Sequence, residues 1–169
     1  MLKEHPFLVT TTFQGDGSTI KYDATKPNRS DAVGKAFKIN ADGKGELVAD
    51  GDEIDGKVIS VDDDHKFTGA YMFGGLNLPL GQNATVARGD KVVGALGASS
   101  AKGHVKALPA LSLPADLEAV SATATQAEHN AVRTAVNSLK AQVEELAGLK
   151  GKGSVINSDT THALVALGA

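Results

Sequence analysis

The chain has 169 residues, 41% of them apolar and 22% charged, with 19 glycines, no cysteine and no tryptophan. That length suits one domain with an insertion, the apolar content excludes a disordered chain, and the missing cysteines exclude disulfides and thiolate chemistry. A net charge of −3, with Lys and Arg scattered among acids, argues against a nucleic-acid surface, and no stretch approaches the roughly 20 apolar residues of a membrane span or the apolar core of a signal peptide.

Residues 1–31 read as an extended N-terminal arm, polar and turn-rich around the apolar patch Pro6, Phe7, Leu8 and Val9, with Phe13 following after three threonines. Pro6 disfavours helix at His5 and cannot donate to a ladder, so a strand here begins at Pro6 or later and keeps one edge free. Such an edge can accept a strand from another protein, or the segment can pair within its own sheet.

A β body follows from residue 32 to about Leu108, where short β-prone runs alternate with Gly-containing turns. Asp-Gly pairs at Asp16-Gly17, Asp42-Gly43, Asp50-Gly51 and Asp55-Gly56 mark chain reversals, because glycine accepts positive φ. The run Lys57–Val61 is apolar on both faces, which predicts a central strand. Asp62-Asp63-Asp64-His65-Lys66 is its hairpin connection, and the strand that returns through Phe67, Gly69, Tyr71 and Phe73 ends at Gly74-Gly75-Leu76. Val86, Val92, Val93 and Leu96 belong to the next pair of strands, and Val105 with Ala107 to another.

Pro109 and Pro114 punctuate a linker, after which Thr125-Gln126-Ala127-Glu128 matches a capping box at the start of a helix from about Gln126 to Ala147. Val132, Val136, Leu139, Val143 and Leu146 recur at spacings of 4, 3, 4 and 3, drawing one apolar seam. The seam serves either to pack on the sheet of its own subunit or to associate with other subunits, and valine at a with leucine at d favours two strands in a parallel coil. Gly148 suits the helix C-terminus. Ser154–Asn157 and His162–Leu167 read as closing strands. The predicted fold is therefore mainly β, a compact antiparallel barrel or sandwich over residues 32–169, with the arm in front and a helical insertion at about 109–153.

No motif carries catalysis. Arg88-Gly89-Asp90 reads as a turn between strands rather than an adhesion signal, and Asp62-Asp63-Asp64-His65 as a solvated tip rather than a cation loop, since the alternating ligands of an EF-hand are absent. The five histidines lack metal-ligand spacing, the glycine-rich run from Gly148 to Ser154 does not meet the phosphate-loop pattern, and no nucleophile elbow occurs. Neither an enzyme nor a metal or cofactor site is expected.

The runs Gly34–Ile39, Gly45–Val61 and Ala84–Gly94, with the turn Asp50-Gly51-Asp52-Glu53-Ile54-Asp55-Gly56-Lys57-Val58, the strand start Arg88-Gly89-Asp90-Lys91-Val92-Val93-Gly94 and the closing Gly153-Ser154-Val155-Ile156, resemble the small head-decoration, or capsid cement, proteins of tailed bacteriophages. The resemblance covers about residues 33–106 plus the closing strands. It implies a non-enzymatic virion protein, made in the host cytoplasm and seated on the outside of the head, commonly as a homotrimer. Its partner would be the major capsid protein, whose expanded lattice it would stabilise by mass action and multivalency, with no nucleic acid or membrane involved. Pro6, Phe7, Leu8, Val9 and Phe13 are the arm residues expected to reach the capsid. One rival is a carbohydrate-binding or host-surface adhesive β module of a virion, weakened by the scarcity of aromatic rings for stacking on sugars. A second is a nucleotide hydrolase using an Asp of the turn at 51–56, which lacks the expected Tyr and phosphate loop.

Overall fold

The computed structural model describes residues 9–71, 75–110, 125–148 and 152–167. The chain divides into two units: a β body from residues 1–108 and 151–169, and a segment 109–150 that carries the helix. In the β body, β1 (Val9–Gln14), β2 (Ala36–Ile39), β3 (Gly45–Leu47), β4 (Gly56–Val61) and β5 (Lys66–Tyr71) make one antiparallel sheet in the order β1-β5-β4-β2-β3. The second sheet comprises β6 (Gly75–Pro79), β7 (Lys91–Ala95), β8 (His104–Ala107), β9 (Lys152–Ser158) and β10 (His162–Ala166), ordered β6-β10-β9-β7-β8. The fold is mainly β and sandwich-like. The ends of each sheet touch through a single bridge, Gly15 with Gly45 and Leu80 with Val105, and neither sheet closes into a barrel.

The second sheet repeats the connectivity of the first, strand for strand. In the first, Phe37 of β2 is flanked by Leu47 and Gly56; in the second, Val92 of β7 is flanked by Ala107 and Lys152. The entries to β2 and β7 are tied to the central strands β4 and β9 in the same way. Gly34 donates to Val58 O at 2.8 Å and Val58 N to Lys35 O at 2.9 Å, while Gly89 donates to Val155 O at 2.8 Å and Val155 N to Asp90 O at 2.9 Å. Each central hairpin turns on an aspartate, Asp62 or Asp159, whose Oδ1 accepts the amide of Lys66 or His162 at 2.8 Å.

Both central strands carry a bulge. The register of β4 shifts between Val58 and Ser60, and that of β9 skips Ile156 in its pairing with β10. An extra residue resets the alternation of faces. Val58 and Val61 are thereby both buried while Ile59 is 36% exposed, and Val155 is buried while Ile156 is 42% exposed. So β4 is central, as its apolar run predicts, but its middle residue Ile59 faces outward.

Two clusters of buried side chains hold the body. One lies on the first sheet, where Phe37, Leu47, Val58, Val61 and Phe67 meet Ile20 and Ala32 of the β1–β2 connection, with Phe13 and Tyr22 packed against them. The rings of Phe13, Phe37 and Phe67 meet with centroids 4.9–5.6 Å apart, contacts worth about 0.5–1.5 kcal/mol per pair beyond area burial. The other joins the sheets, Ala36, Val48, Ile54 and Ala70 meeting Leu76, Leu78, Val92, Val105 and Val165 among others.

Several sequence expectations shift. Gly17, Gly43 and Gly51 do have positive φ, but Gly56 opens β4 instead of a reversal, and its missing side chain leaves room for the Phe37 ring, 2.7 Å from where a Cβ would stand. Val86 lies in a loop, and β7 starts only at Lys91. Leu76, taken as the end of a strand, belongs to a new one, β6, whose Gly75 makes space for Leu164 of β10. Within the expected arm, residues 9–14 form edge strand β1, paired with β5 from Val9–Tyr71 to Gln14–Lys66.

The second unit contains α1 (Gln126–Gly148). The capping box forms: Glu128 N donates to Thr125 Oγ1 at 3.4 Å, and Glu128 Oε2 accepts from both the amide and the hydroxyl of Thr125. These bonds satisfy groups that a first helical turn leaves unpaired.

Candidate interaction surfaces

Of the residues expected to reach a partner, Pro6, Phe7 and Leu8 lie outside the described residues. Val9 is 44% exposed at the start of β1. Phe13 is different: it is only partly exposed, and its ring lies 5.6 Å from that of Phe37 and 5.5 Å from that of Phe67. Its ring thus packs on the core of its own sheet. Among the described strands β1 pairs with β5 alone, apart from the bridge of Gly15 to Gly45 just beyond its end, and a strand with one such partner can pair with a foreign strand on its other side.

The described seam side chains of α1 are exposed or half-buried. Val136 is 48% and Val143 49% exposed, and Val132 and Leu139 are half-buried. Leu146 continues the spacing, but its side chain lies outside what is described. The residues around the seam are polar or small: Asn130, Thr134, Asn137 and Ser138 are exposed, and Lys140 pairs with Glu144 at 3.8 Å along the helix. The hydrogen bonds of Thr125 hold the carboxyl of Glu128 below the usual glutamate range, so it is ionised at neutral pH.

The acidic motifs are structural where their partners can be seen. In the run from Asp50 to Asp55, Asp50 pairs with Lys106 at 2.8 Å, Asp52 accepts the Ala49 amide at 2.6 Å and pairs with Lys38 at 2.9 Å, and Asp55 accepts the Ile39 amide at 2.8 Å. Burial alone would lower the Lys38 pKa, but Asp52 and Glu46 together raise it above the ordinary lysine range. At the hairpin tip Asp62, Asp63, Asp64 and His65 are exposed, and the His65 ring accepts the Tyr22 amide at 3.0 Å. Arg88-Gly89-Asp90 is a turn closed by Asp90 itself, whose carboxylate accepts the Ala87 amide at 2.7 Å.

Sequence reasoning missed a cleft of about 500 Å³ between the Asp50–Lys106 ion pair and the loop Gln82, Asn83 and Thr85. Its walls come from separate segments, so no local pattern marks it. Among the described residues no group of three or more His, Cys, Asp or Glu side chains is placed to hold a metal, and no helix is long and apolar enough to cross a membrane. Compared with protein-family models, curated proteins and solved structures, the chain matches none.

Proposed function

We propose that this protein is a structural, non-catalytic component of a tailed-phage virion that decorates the outside of the expanded head and braces the lattice of the major capsid protein. One observation carries the reading. The stretches that resemble head-decoration proteins, distant in sequence, are in mutual contact in the fold: Gly51 donates to Gly94 O at 3.0 Å, Gly94 donates to Asp52 O at 2.8 Å, and Lys38 bridges Asp52 and Glu46. Their packing into one bonded unit supports reading these stretches together.

In this reading the β body is a rigid scaffold, attachment runs through the free edge of β1 and the residues before it, and the α1 seam is a face for self-association. A strand added to β1 gains main-chain hydrogen bonds, and a binder that recognises only the expanded lattice stabilises it by mass action, multiplied over many copies. Co-sedimentation of the purified chain with expanded and unexpanded heads of its phage is the test. Binding confined to expanded heads, and lost on removal of residues 2–8, supports the proposal; a folded protein that sediments with neither sinks it.

A further inference from the structure

We infer that α1 is a self-association element with a defined orientation: it pairs with a second copy of itself in parallel and in register. This rests on the reading of the seam as a self-association face and is independent of the capsid role. With Val136 and Val143 at a, and Val132, Leu139 and Leu146 at d, the flanking e positions hold Arg133 and Lys140, and the g positions hold Glu128, Ala135 and Gln142. One heptad before Val136 the a position is His129, so the apolar seam begins at Val132.

In a parallel coil each e residue faces the g residue of the preceding heptad on the other helix. Arg133 then meets Glu128 of the second copy, and Lys140 meets Ala135: one attraction, no repulsion, and the same again by symmetry. In an antiparallel pair e faces e. Layering Val136 on Leu139 and Val143 on Val132 sets Arg133 opposite Lys140 twice, and sliding by one heptad sets Lys140 opposite Lys140. Every antiparallel alignment that layers Val136 on a seam residue therefore brings cations together beside that seam. The Lys140–Glu144 contact, at 3.8 Å and with both side chains about 70% exposed, is too solvated to cancel that charge. Among the described side chains of the helix, the two a-position valines are the large apolar ones that stand exposed, which is where a partner helix gains by covering them.

The chain has no cysteine, so a single introduced thiol reports orientation in the intact protein. Full-length Val136→Cys and Leu139→Cys are mixed and gently oxidised. Each should cross-link with its own kind, leaving little 136-to-139 product; dominance of the mixed product would overturn the parallel arrangement while leaving self-association standing. Uncross-linked monomer by sedimentation at all concentrations would overturn both. Arg133→Glu gives an independent sign. In the parallel pair it opposes Glu128 and should weaken association roughly fivefold, for two pairs of a few tenths of a kcal/mol each reversed in sign; stronger association would mean the helices run antiparallel. Neither measurement involves capsids, so a failed head-binding experiment and a failed coil are separate results.

Discussion

At the scale of single residues, the first sheet is organised by aromatic rings that use the space of absent side chains. A Cβ on Gly69 would stand 2.6 Å from the Phe37 ring, and one on Gly45 2.1 Å from that of Phe67. Gly69→Ala should therefore cost about 2 kcal/mol through overpacking, read as a lower denaturant midpoint, and Phe37→Leu in the same chain should recover part of the loss; additive losses would show that the ring is not what excludes the methyl. Asp16 works differently. Its carboxylate accepts the amides of Ser18, Thr19 and Ile20 at 2.8–3.1 Å and the Thr19 hydroxyl at 2.8 Å, and that hydroxyl accepts the Leu47 amide, tying the loop to β3. Burial pushes the Asp16 pKa up, but these hydrogen bonds outweigh it and the net direction is down. A carboxyl depressed on folding contributes fully above its unfolded pKa, near 4, and loses that contribution as pH falls through the folded value. Asp16→Asn should thus be less stable by about 1 kcal/mol at pH 7, the half-exposed site keeping the loss small, and the gap from the unmodified protein should close below pH 4. A gap that persists in acid would assign the effect to shape instead of charge.

At the scale of elements, the bulges decide which side of a strand is inside. Val58 and Ile59 are adjacent and chemically alike, yet one is buried and the other faces water; Val155 and Ile156 repeat the arrangement. Ile59→Thr and Ile156→Thr should each change stability by less than about 0.5 kcal/mol, while Val58→Thr and Val155→Thr should each lose 1–2 kcal/mol by burying a hydroxyl. Equal losses within either pair, by chemical denaturation, would contradict the bulge. The contrast also marks where the sequence was legible. The β4–β5 hairpin and the α1 boundaries follow from local signals, an acidic turn and a capping box, and these are short-range. Ile59 was misplaced because strict alternation cannot register an inserted residue, and β6 was missed because two glycines look like a terminator when Gly75 in fact yields space to Leu164 from a strand some ninety positions away. Phe13 read as an arm residue for a similar reason: nothing near it in sequence announces Phe37 and Phe67.

For the molecule as a whole, the repeated sheet is the fact least visible in the sequence, because it is written in backbone bonds that ask little of side chains. Val58-Ile59 with Val155-Ile156, Gly34 with Gly89, Gly56 with Gly153 and Asp62 with Asp159 are among the few identities the halves share. The repeat also explains where the helix enters. In the first sheet β3 reaches β4 through residues 48–55; in the second, residues 108–151 span the equivalent step from β8 to β9. Ala107 and Lys152 both pair with Val92, so they stand two strand spacings apart, about 10 Å, a gap that a loop of four or five residues covers. The insertion is therefore not needed to join the strands, and among the described residues the buried clusters of the β body are built without it. Replacing residues 109–150 with a short Gly-Ser loop should leave a cooperatively folding β body whose thermal midpoint shifts by no more than a few degrees, since the described core residues all remain. Sedimentation of that protein should give a monomer at concentrations where the full chain associates. If it failed to fold, the helix would be part of the scaffold; if it folded and still associated, the contact between copies would belong to the sheets, with the exposed edge of β1 the first place to look.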